Sequence, residues 1–487
     1  MSRAPARAVP ARMGHTALIL GDQLMRDNPA LDGADRVLLI EARAPLRRVR
    51  THRRRAHLVF SAMRHFAAEH DHAEHVRADS FAEVLRDRRD VVCAEPNRTG
   101  ARASLARLGV RFVPSNQFLG GFDDWVEGRR RLLMEDFYRD QRRRLGVLLD
   151  EDGEPEGGRW NFDEENRKPP RAGLLAPEPW RPAEDDIDAQ VRRDLDALRD
   201  VELWGEDGPR AVAATPAEAE AALHAFVERR LPEFGPWQDA MVDGDHVLFH
   251  SQLSAPLNLG LLAPLRAVRA AEDAYRRGAA PLASVEGFVR QIIGWREYVW
   301  GMYRRRRDRG NALGAHHALP PAFWGHQTGW HCLDTVVRGV EEDAYANHIE
   351  RLMVLGNILL LAGVEPWAAV RWFQGAFIDG AEWVMAPNAA GMALYADGGE
   401  MMSKPYAAGG NYINKMSTFC GGCRYSPNVR TGADACPVTA LYWDFVDRNQ
   451  ARLSGNRRMR QPLRTLARLD DMDAVRARAQ AARAELG

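Results

Sequence analysis

Four of the five cysteines fall in the last third of the 487-residue chain: Cys332, Cys420, Cys423 and Cys436. The last three form a C-x2-C-x12-C array, and the distant Cys332 would complete a set of four sulfur ligands. Such a site ties two regions of the chain together. A disulfide framework does not fit, because five cysteines are too few for a stapled scaffold of this length. Residues 1–14, rich in Arg, Ala and Pro, also lack the apolar core of a secretory signal. A structural zinc ion takes four thiolates readily. An iron–sulfur cluster takes the same ligands, and some of its ligand runs close on Cys-Pro, as Cys436-Pro437 does here. Spacing alone leaves both open. Gly421 and Gly422 suit either, since they let the backbone turn tightly and aim N–H groups at sulfur. Cys93, in the apolar run Val91-Val92-Cys93, reads as a small buried hydrophobe.

Further candidate chemistry precedes the array. The polar turn His250-Ser251-Gln252-Leu253-Ser254 opens a helical segment, and hydroxyls and N–H groups at a helix start can hold a phosphate. An ordinary helix cap would look the same. Gln291, Trp295 and Arg296 share one helical stretch whose polar content is costly in a core and suits a wall that stacks on a flat ligand. His348, Arg351 and Leu355 fall on one helical face by the i, i+3, i+7 rule, which makes His348, with Arg351 one turn on, a candidate acid, while a lone histidine there reads equally as a structural residue. Trp367, Trp372 and Trp383 lie within seventeen residues, and thirteen tryptophans in all point to some stacking roles besides core packing.

The elements that position these residues follow from periodicity. Apolar runs at 16–20, 36–41, 91–93 and 110–114 read as buried strands, with helical spacing at 56–70 and 81–88 between them. Strands alternating with helices predict a doubly wound parallel α/β domain over 15–135, behind a disordered extension at 1–14. Ligands in such sheets sit at the carboxyl ends of strands, so Gly21, Asp22, Gln23, Leu24 and Glu41 are pocket candidates. A linker rich in Gly, Pro and acids is expected over 136–214. Helical periods at 216–230, 262–277, 285–303, 341–362 and 366–379 predict a large all-α domain over 215–487. Lys+Arg and Asp+Glu balance at 67 each, so net charge implies neither nucleic acid nor membrane. Local basic runs occur at 47–50, 53–55, 142–144 and 304–307, and each reads first as a solvated helix face. No segment has the ~20 apolar residues of a membrane span. A cytoplasmic protein is expected.

Together these stretches resemble the photolyase/cryptochrome superfamily. The resemblance is carried in order by Gly21-Asp22-Gln23-Leu24, Ser251-x-Leu253-Ser254, Gln291-x3-Trp295-Arg296, the 348–355 helix, and Asp379 with Trp383. The block from Lys404-Pro405-Tyr406 through the cysteine array to Ala440-Leu441-Tyr442-Trp443-Asp444-Phe445 is similar to the iron–sulfur bacterial cryptochromes and photolyases, some of which are (6-4) photolyases.

The resemblance implies FAD, a [4Fe–4S] cluster on Cys332, Cys420, Cys423 and Cys436, and a 6,7-dimethyl-8-ribityllumazine antenna near Gly21 to Leu24 and Glu41. It implies that Ser251, Leu253 and Ser254 form the FAD phosphate turn, and that Gln291, Trp295, Arg296, Arg351 and Asp379 surround the flavin. His348 and Tyr406 would act on the lesion, and Trp324 and Trp372 would carry electrons to the flavin. The implied activity is light-driven repair of (6-4) photoproducts in UV-damaged DNA by a monomer. A blue-light signalling receptor with the same cofactors is the alternative. Two positions depart from the pattern: Phe373 stands where an electron-relaying aromatic is expected, and Met385 where many relatives place Asn near the flavin.

Overall fold

Short runs of Val, Leu and Ile bounded by turns build the N-terminal sheet. The computed structural model describes residues 14–305 and 309–487, so the expected extension lies, apart from Gly14, outside the described residues. The strands are β1 (His15–Ile19), β2 (Ala34–Ala42), β3 (Thr51–His52), β4 (Ala73–Ala78), β5 (Val91–Ala94), β6 (Arg111–Val113) and β7 (Leu203–Trp204). Five of them pair in parallel in the order β4-β2-β1-β5-β6. Alternate residues face opposite sides. Ala17 and Ile19 join the core that includes Leu58 and Met63 of the helix Arg53–Ala68. Leu18, Leu38 and Cys93 join a second core with Leu85 and Leu105. Cys93 is the small buried hydrophobe expected of it. The strand order reverses between β1 and β5, so their carboxyl ends border the crevice that this topology leaves for a ligand.

Beyond residue 215 the chain is mostly helical, with long elements at Pro216–Arg229, Pro264–Arg276, His331–Asp343, Pro366–Ala376, Pro437–Arg448 and Met472–Glu485. The helical stretch expected over 341–362 is broken. Ala344 adopts a left-handed φ of 54° and ends the first helix, and Asn347 caps the second with a reciprocal bond to Glu350. Three stretches wind as π turns: Arg290–Arg296, Arg351–Gly356 and Ala386–Ala393. Such turns are uncommon and recur at functional sites.

The segment expected as a linker carries two helices, Met134–Leu145 and Asp186–Asp196. The first packs against the Arg290–Arg296 turn, where a Cβ on Gly294 would stand 3.1 Å from the Tyr138 ring. The second buries Val191 and Leu195 against Leu46 and Ala56 of the α/β half.

The basic runs near residue 50 tie the α/β half to the connecting segment and to the helical half. Arg47 donates to Asp79 and Asp200, both at 2.5 Å, and Arg53 to Asp196 at 2.5 Å. Arg54 pairs with Asp343 at 3.0 Å, and Arg55 donates to the Gly380 carbonyl at 2.5 Å. His52 sits at the centre of this seam. Its Nδ1 accepts from the Arg54 N–H at 3.1 Å while Nε2 donates to the Glu341 carbonyl at 2.9 Å. Its ring packs edge-on to Trp204, and Gly205, at φ 78°, leaves room that a Cβ would fill 1.9 Å from the ring. Both nitrogens are committed to the neutral tautomer, and burial pushes the pKa down to about 4. Below the ordinary value near 6.5 the unfolded chain takes up a proton that the folded chain refuses. The stability contributed by neutral His52 is therefore present above that value and lost as pH falls toward 4. Thermal melts between pH 7 and 4.5 are expected to show a smaller acid-side fall in Tm for His52→Gln than for the native chain. An unchanged fall would show that another group drives the acid sensitivity.

Candidate functional site

The three π turns converge on one cavity of about 240 Å³. Its wall carries Ser251, Ser254, Gln291, Trp295, Arg296, His348, Arg351 and Asp379, all singled out from the sequence and drawn from positions more than 120 residues apart in the chain. The first π turn supplies Gln291, Trp295 and Arg296, the second Arg351, and the third Asn388. A π turn widens the helical repeat, so residues five apart, such as Gln291 and Arg296, can face the same way. Leu355, expected on the face of His348 and Arg351, is instead wholly buried in the core, because the π turn between them shifts the phase.

Each wall residue is held from behind. Trp295 donates from Nε1 to Asn388 Oδ1 at 2.9 Å, and Asn388 is anchored by its own bond to the Val384 carbonyl. Arg296 donates to Glu297 at 2.6 Å and stacks over Phe118 and Trp383. Burial acts against both charges, lowering the arginine and raising the glutamate, although the Leu119 and Gly120 N–H groups also serve the carboxylate. Arg351 donates from Nη1 to both oxygens of Asp379, at 2.8 and 3.1 Å, and from Nε to the Ala346 carbonyl. The backbone carbonyl of Asp379 accepts from Asn258 Nδ2 at 3.0 Å, which ties the loop to the helix Ser254–Leu259.

The serine turn is tightly wound. Gln252 has φ 56°, and the Leu253 N–H donates to Ser251 Oγ at 3.3 Å. Leu253 itself points into the core rather than at the cavity. His348 stands at the mouth with its side chain 49% exposed, and its Nε2 lies 3.4 Å from Asp239. Its ring meets His250 edge-on at 5.3 Å. His250 is deep in the wall, where burial, with the positive charges of His348, Arg230 and Arg351, holds its pKa well below the ordinary range. Tyr406 is not on the cavity wall. It is partly buried beside Asp239 and Arg167, and burial pushes its phenol up.

A second cavity of about 280 Å³ opens at the switch point of the sheet and shares Asn258, Asp379 and Trp383 with the first. Gly21 and Asp22 line it with Arg48, Arg55 and Arg98. Gln23 turns inward, donating to the Glu95 carbonyl at 2.7 Å, and Leu24 lies in the core. Glu41 is likewise off this wall. It is buried within β2 and occupied by Arg64, at 2.7 and 2.9 Å, and by His75 at 2.8 Å. Those partners outweigh burial and hold its carboxyl below the ordinary range.

Trp372 is buried and donates to the Phe323 carbonyl at 2.8 Å, with ring contacts to Phe323, Phe373 and Phe377. Trp324 packs edge-on to Trp204 under the Arg50 guanidinium. The four C-terminal cysteines face one another. Burial pushes the Cys332 thiol well up, and negative charge on Cys436, Cys420 or Cys423 would push it further. Cys436 precedes the helix Pro437–Arg448, and Gly410 packs so close that a Cβ there would stand 2.7 Å from its sulfur. Among the described residues, the only trio of candidate ligands with all atoms within 4.8 Å is His65, Asp185 and Asp188, so no three of the cysteine sulfurs lie that close together. That trio is a structural knot, since Asp188 is paired with the buried Arg210 at 2.7 Å.

Sequence reasoning missed Asn258, Tyr345 and Asn388 on the wall. Asn258 stood four residues beyond Ser254, a one-turn spacing that could have marked it; Asn388 depends on the π turn and left no periodic signal.

A doubly wound sheet is joined to a helical body whose cavity is lined by aromatic, apolar and a few charged side chains. Residues 17–206 match the family described as deoxyribodipyrimidine photo-lyase-related protein. The (6-4) photolyase of Agrobacterium fabrum is 42% identical over 499 aligned residues, covering 94% of this chain and 96% of that one. The crystal structure of a bacterial class III photolyase from Agrobacterium tumefaciens covers 99% of both chains with a TM-score of 0.54 at 15% identity. A Synechocystis cryptochrome covers 78% of this chain and 82% of its own with a TM-score of 0.51 at 13% identity. The last two likenesses concern the fold. The chain belongs to the photolyase/cryptochrome superfamily, in the family of the bacterial (6-4) photolyases.

Removing one partner of a buried ion pair strands the other, at a cost of about 3–5 kcal/mol. Arg351→Ala is expected to lower unfolding stability by about that amount in chemical denaturation. Arg351→Met with Asp379→Leu should recover most of the loss. If the single and double variants are equally destabilised, the pair is not what holds this wall.

Proposed function

We propose that the protein repairs (6-4) pyrimidine photoproducts in DNA by light-driven electron transfer from FAD held in the cavity that Ser251, Gln291, Arg296 and Asp379 line. The observation that carries this is the near-full-length identity to a (6-4) photolyase, joined to a cavity whose wall gathers the expected residues. The cavity also fits a polar ring chemically. His250 Nε2, Arg296 Nε and Trp383 Nε1 are buried on this wall without hydrogen-bond partners. Such groups cost about 1–3 kcal/mol each when left unpaired, which a ligand with matching polar atoms would remove.

In this reading Ser251 and Ser254 hold the phosphates, while Gln291, Trp295, Arg296, Arg351 and Asp379 orient the isoalloxazine. The flavin supplies light absorption and one-electron transfer. The chain supplies the rest. The two linked pyrimidines of one strand, flipped from the duplex, would enter at the mouth, where His348 is half exposed and held by Asp239. His348 gives its proton to the lesion, and Tyr406 lines the approach beside the same aspartate. Arg167, Lys168 and Lys404 are exposed, and Arg167 lies 3.8 Å from Asp239, where it would meet a phosphate of the DNA backbone. The second cavity, with Gly21 and Asp22, would take the lumazine antenna. No helix among the described residues is long and apolar enough to cross a membrane.

A [4Fe–4S] cluster suits the cysteines better than zinc. Zinc–sulfur bonds of about 2.3 Å bring tetrahedral thiolates to about 3.8 Å from one another, whereas a cubane spreads its four ligands over separate irons. The wider spread of the sulfurs supports the cluster. It would join Cys332, at the start of one helix, to Cys436, ahead of another, and so brace the far side of the helical domain.

Irradiating an oligonucleotide that carries one (6-4) lesion, followed by chromatography of the product, tests the activity. The native protein should restore both pyrimidines, and His348→Ala should lower the rate by 100-fold or more, in the range of general acid catalysis at ~10²–10⁴. Full repair by the variant would remove His348 from the reaction, and absence of repair by the native protein would favour light signalling. For the cluster, metal analysis should find about four irons per chain and little zinc, with iron lost in Cys332→Ser. Stoichiometric zinc would contradict the assignment.

A further inference from the structure

The two tryptophans expected to feed electrons inward are poorly connected here. The ring contacts of Trp372 are with Phe323, Phe373 and Phe377, and phenylalanine gives up an electron far less readily than tyrosine or tryptophan. A different aromatic row leaves the same cavity. Trp383 lines the wall, and its ring meets Trp300 at 5.8 Å. Phe118 bridges the two, stacked on Trp300 at 4.2 Å and edge-on to Trp383 at 4.9 Å. Trp300 in turn lies 6.1 Å from Tyr303, nearly parallel at 24°.

Tyr303 is equipped to end such a row. Its hydroxyl donates to Glu382 Oε1 at 3.0 Å and accepts from the Thr99 N–H at 3.2 Å. Oxidation makes a phenol strongly acidic, so a tyrosine becomes a good electron donor only where a base is already in place for its proton. Glu382 is such a base, held by Arg98 at 2.6 Å. Charge placement favours the outward end. The Arg296 guanidinium, paired with Glu297, lies 5.3 Å over the buried Trp383 ring and Arg304 lies 5.7 Å over Trp300, whereas the Tyr303 hydroxyl meets the Glu382 carboxylate directly. A positive hole on Trp383 is thus disfavoured relative to one beside the Glu382 carboxylate. Tyr303 also lines a surface cavity of about 200 Å³ with Arg309 and Trp367, through which a small reductant could reach it.

We infer that Trp383, Trp300 and Tyr303 form an electron-entry row to the cavity, with Tyr303 the terminal donor and Glu382 its proton acceptor. This rests on the reading of the cavity as a flavin site. In the step, Tyr303 loses one electron and one proton. The electron passes through Trp300 and Trp383 to a light-excited oxidised flavin, which is reduced by one electron, and the proton moves to the Glu382 carboxylate. A small external thiol then returns a hydrogen atom to Tyr303 and becomes a thiyl radical, and Glu382 releases its proton to solvent.

Electron paramagnetic resonance on the purified full-length protein, frozen under blue light without added reductant, tests this. An absorption spectrum before freezing establishes flavin in every sample. The native protein should show a neutral tyrosyl radical whose hyperfine structure collapses when the protein is grown on ring-deuterated tyrosine. That signal should fall at least tenfold in Tyr303→Phe and in Trp300→Phe and persist in Trp372→Phe. Glu382→Gln should leave the flavin in place and slow radical formation, with a solvent isotope effect that Trp372→Phe leaves unaltered. A flavin-bearing native protein with no tyrosyl radical overturns the row and spares the cavity reading, as does a tyrosyl signal undiminished in Tyr303→Phe. Purified protein without flavin overturns both. If Trp300→Phe loses its flavin through misfolding, the isosteric Tyr303→Phe still decides the outcome.

Discussion

The site depends on one buried ion pair. Arg351 grips both oxygens of Asp379, and through the backbone of Asp379 the grip extends to Asn258. Three otherwise separate pieces of chain meet there: the capped helix that bears His348, the loop after Pro366–Ala376, and the helix that follows the serine turn. A buried pair is weak evidence for stability, because two charges must first be taken out of water. Its geometry here serves position instead. The guanidinium lies over the Phe377 ring at 4.1 Å, and its Nε donates to the Ala346 carbonyl, which limits its freedom to move. Asp379 also borders both cavities, which makes this pair the joint between the ligand pocket of the helical half and the crevice of the sheet.

Around that joint the helices are wound to carry side chains rather than to maximise backbone regularity. Each of the three π turns places at least one residue on the cavity wall. Each also exchanges good helical bonding for a local bulge, which persists only when surrounding packing fixes it. Gly294 and Gly356 permit that packing, since a Cβ would approach Tyr138 at the first and Ala393 at the second. The seam between the halves is tight for the same reason. Arg54 and Arg55 are spent on Asp343 and the Gly380 carbonyl of the helical half, and Arg47 and Arg53 on Asp200 and Asp196 of the connecting segment, rather than left as a basic patch.

Much of this was legible from residue types. The Val/Leu/Ile runs marked four of the five strands of the main sheet, because strands covered on both faces read as continuous apolar segments. The strand Ala73–Ala78 escaped notice. It lies at the sheet edge, with polar and partly exposed residues such as Glu74, His75 and Arg77, and so carries no such run. The wall residues Gln291, Trp295, Arg296, His348 and Arg351 were visible as polar and aromatic side chains too costly to bury without purpose. Their alignment was not, because a helical wheel assumes 3.6 residues per turn and the π turns break that assumption, as Leu355 and Asn388 show. Glu41 illustrates the opposite failure. A carboxylate at a strand end resembles a ligand contact in sequence, and only the fold brings Arg64 and His75 to close it off.

On the proposed reading the cysteine array braces the side of the helical domain that holds Cys332 and the C-terminal helices, while the chemistry belongs to the cavity joined at Arg351 and Asp379. The most direct measurement of that claim is a crystal structure of the protein as purified, without added cofactor. It should show a flavin dinucleotide with phosphates at Ser251 and Ser254 and its ring between Trp295 and Asp379. Density for the flavin elsewhere, or an ordered cavity filled only by water, would contradict the account.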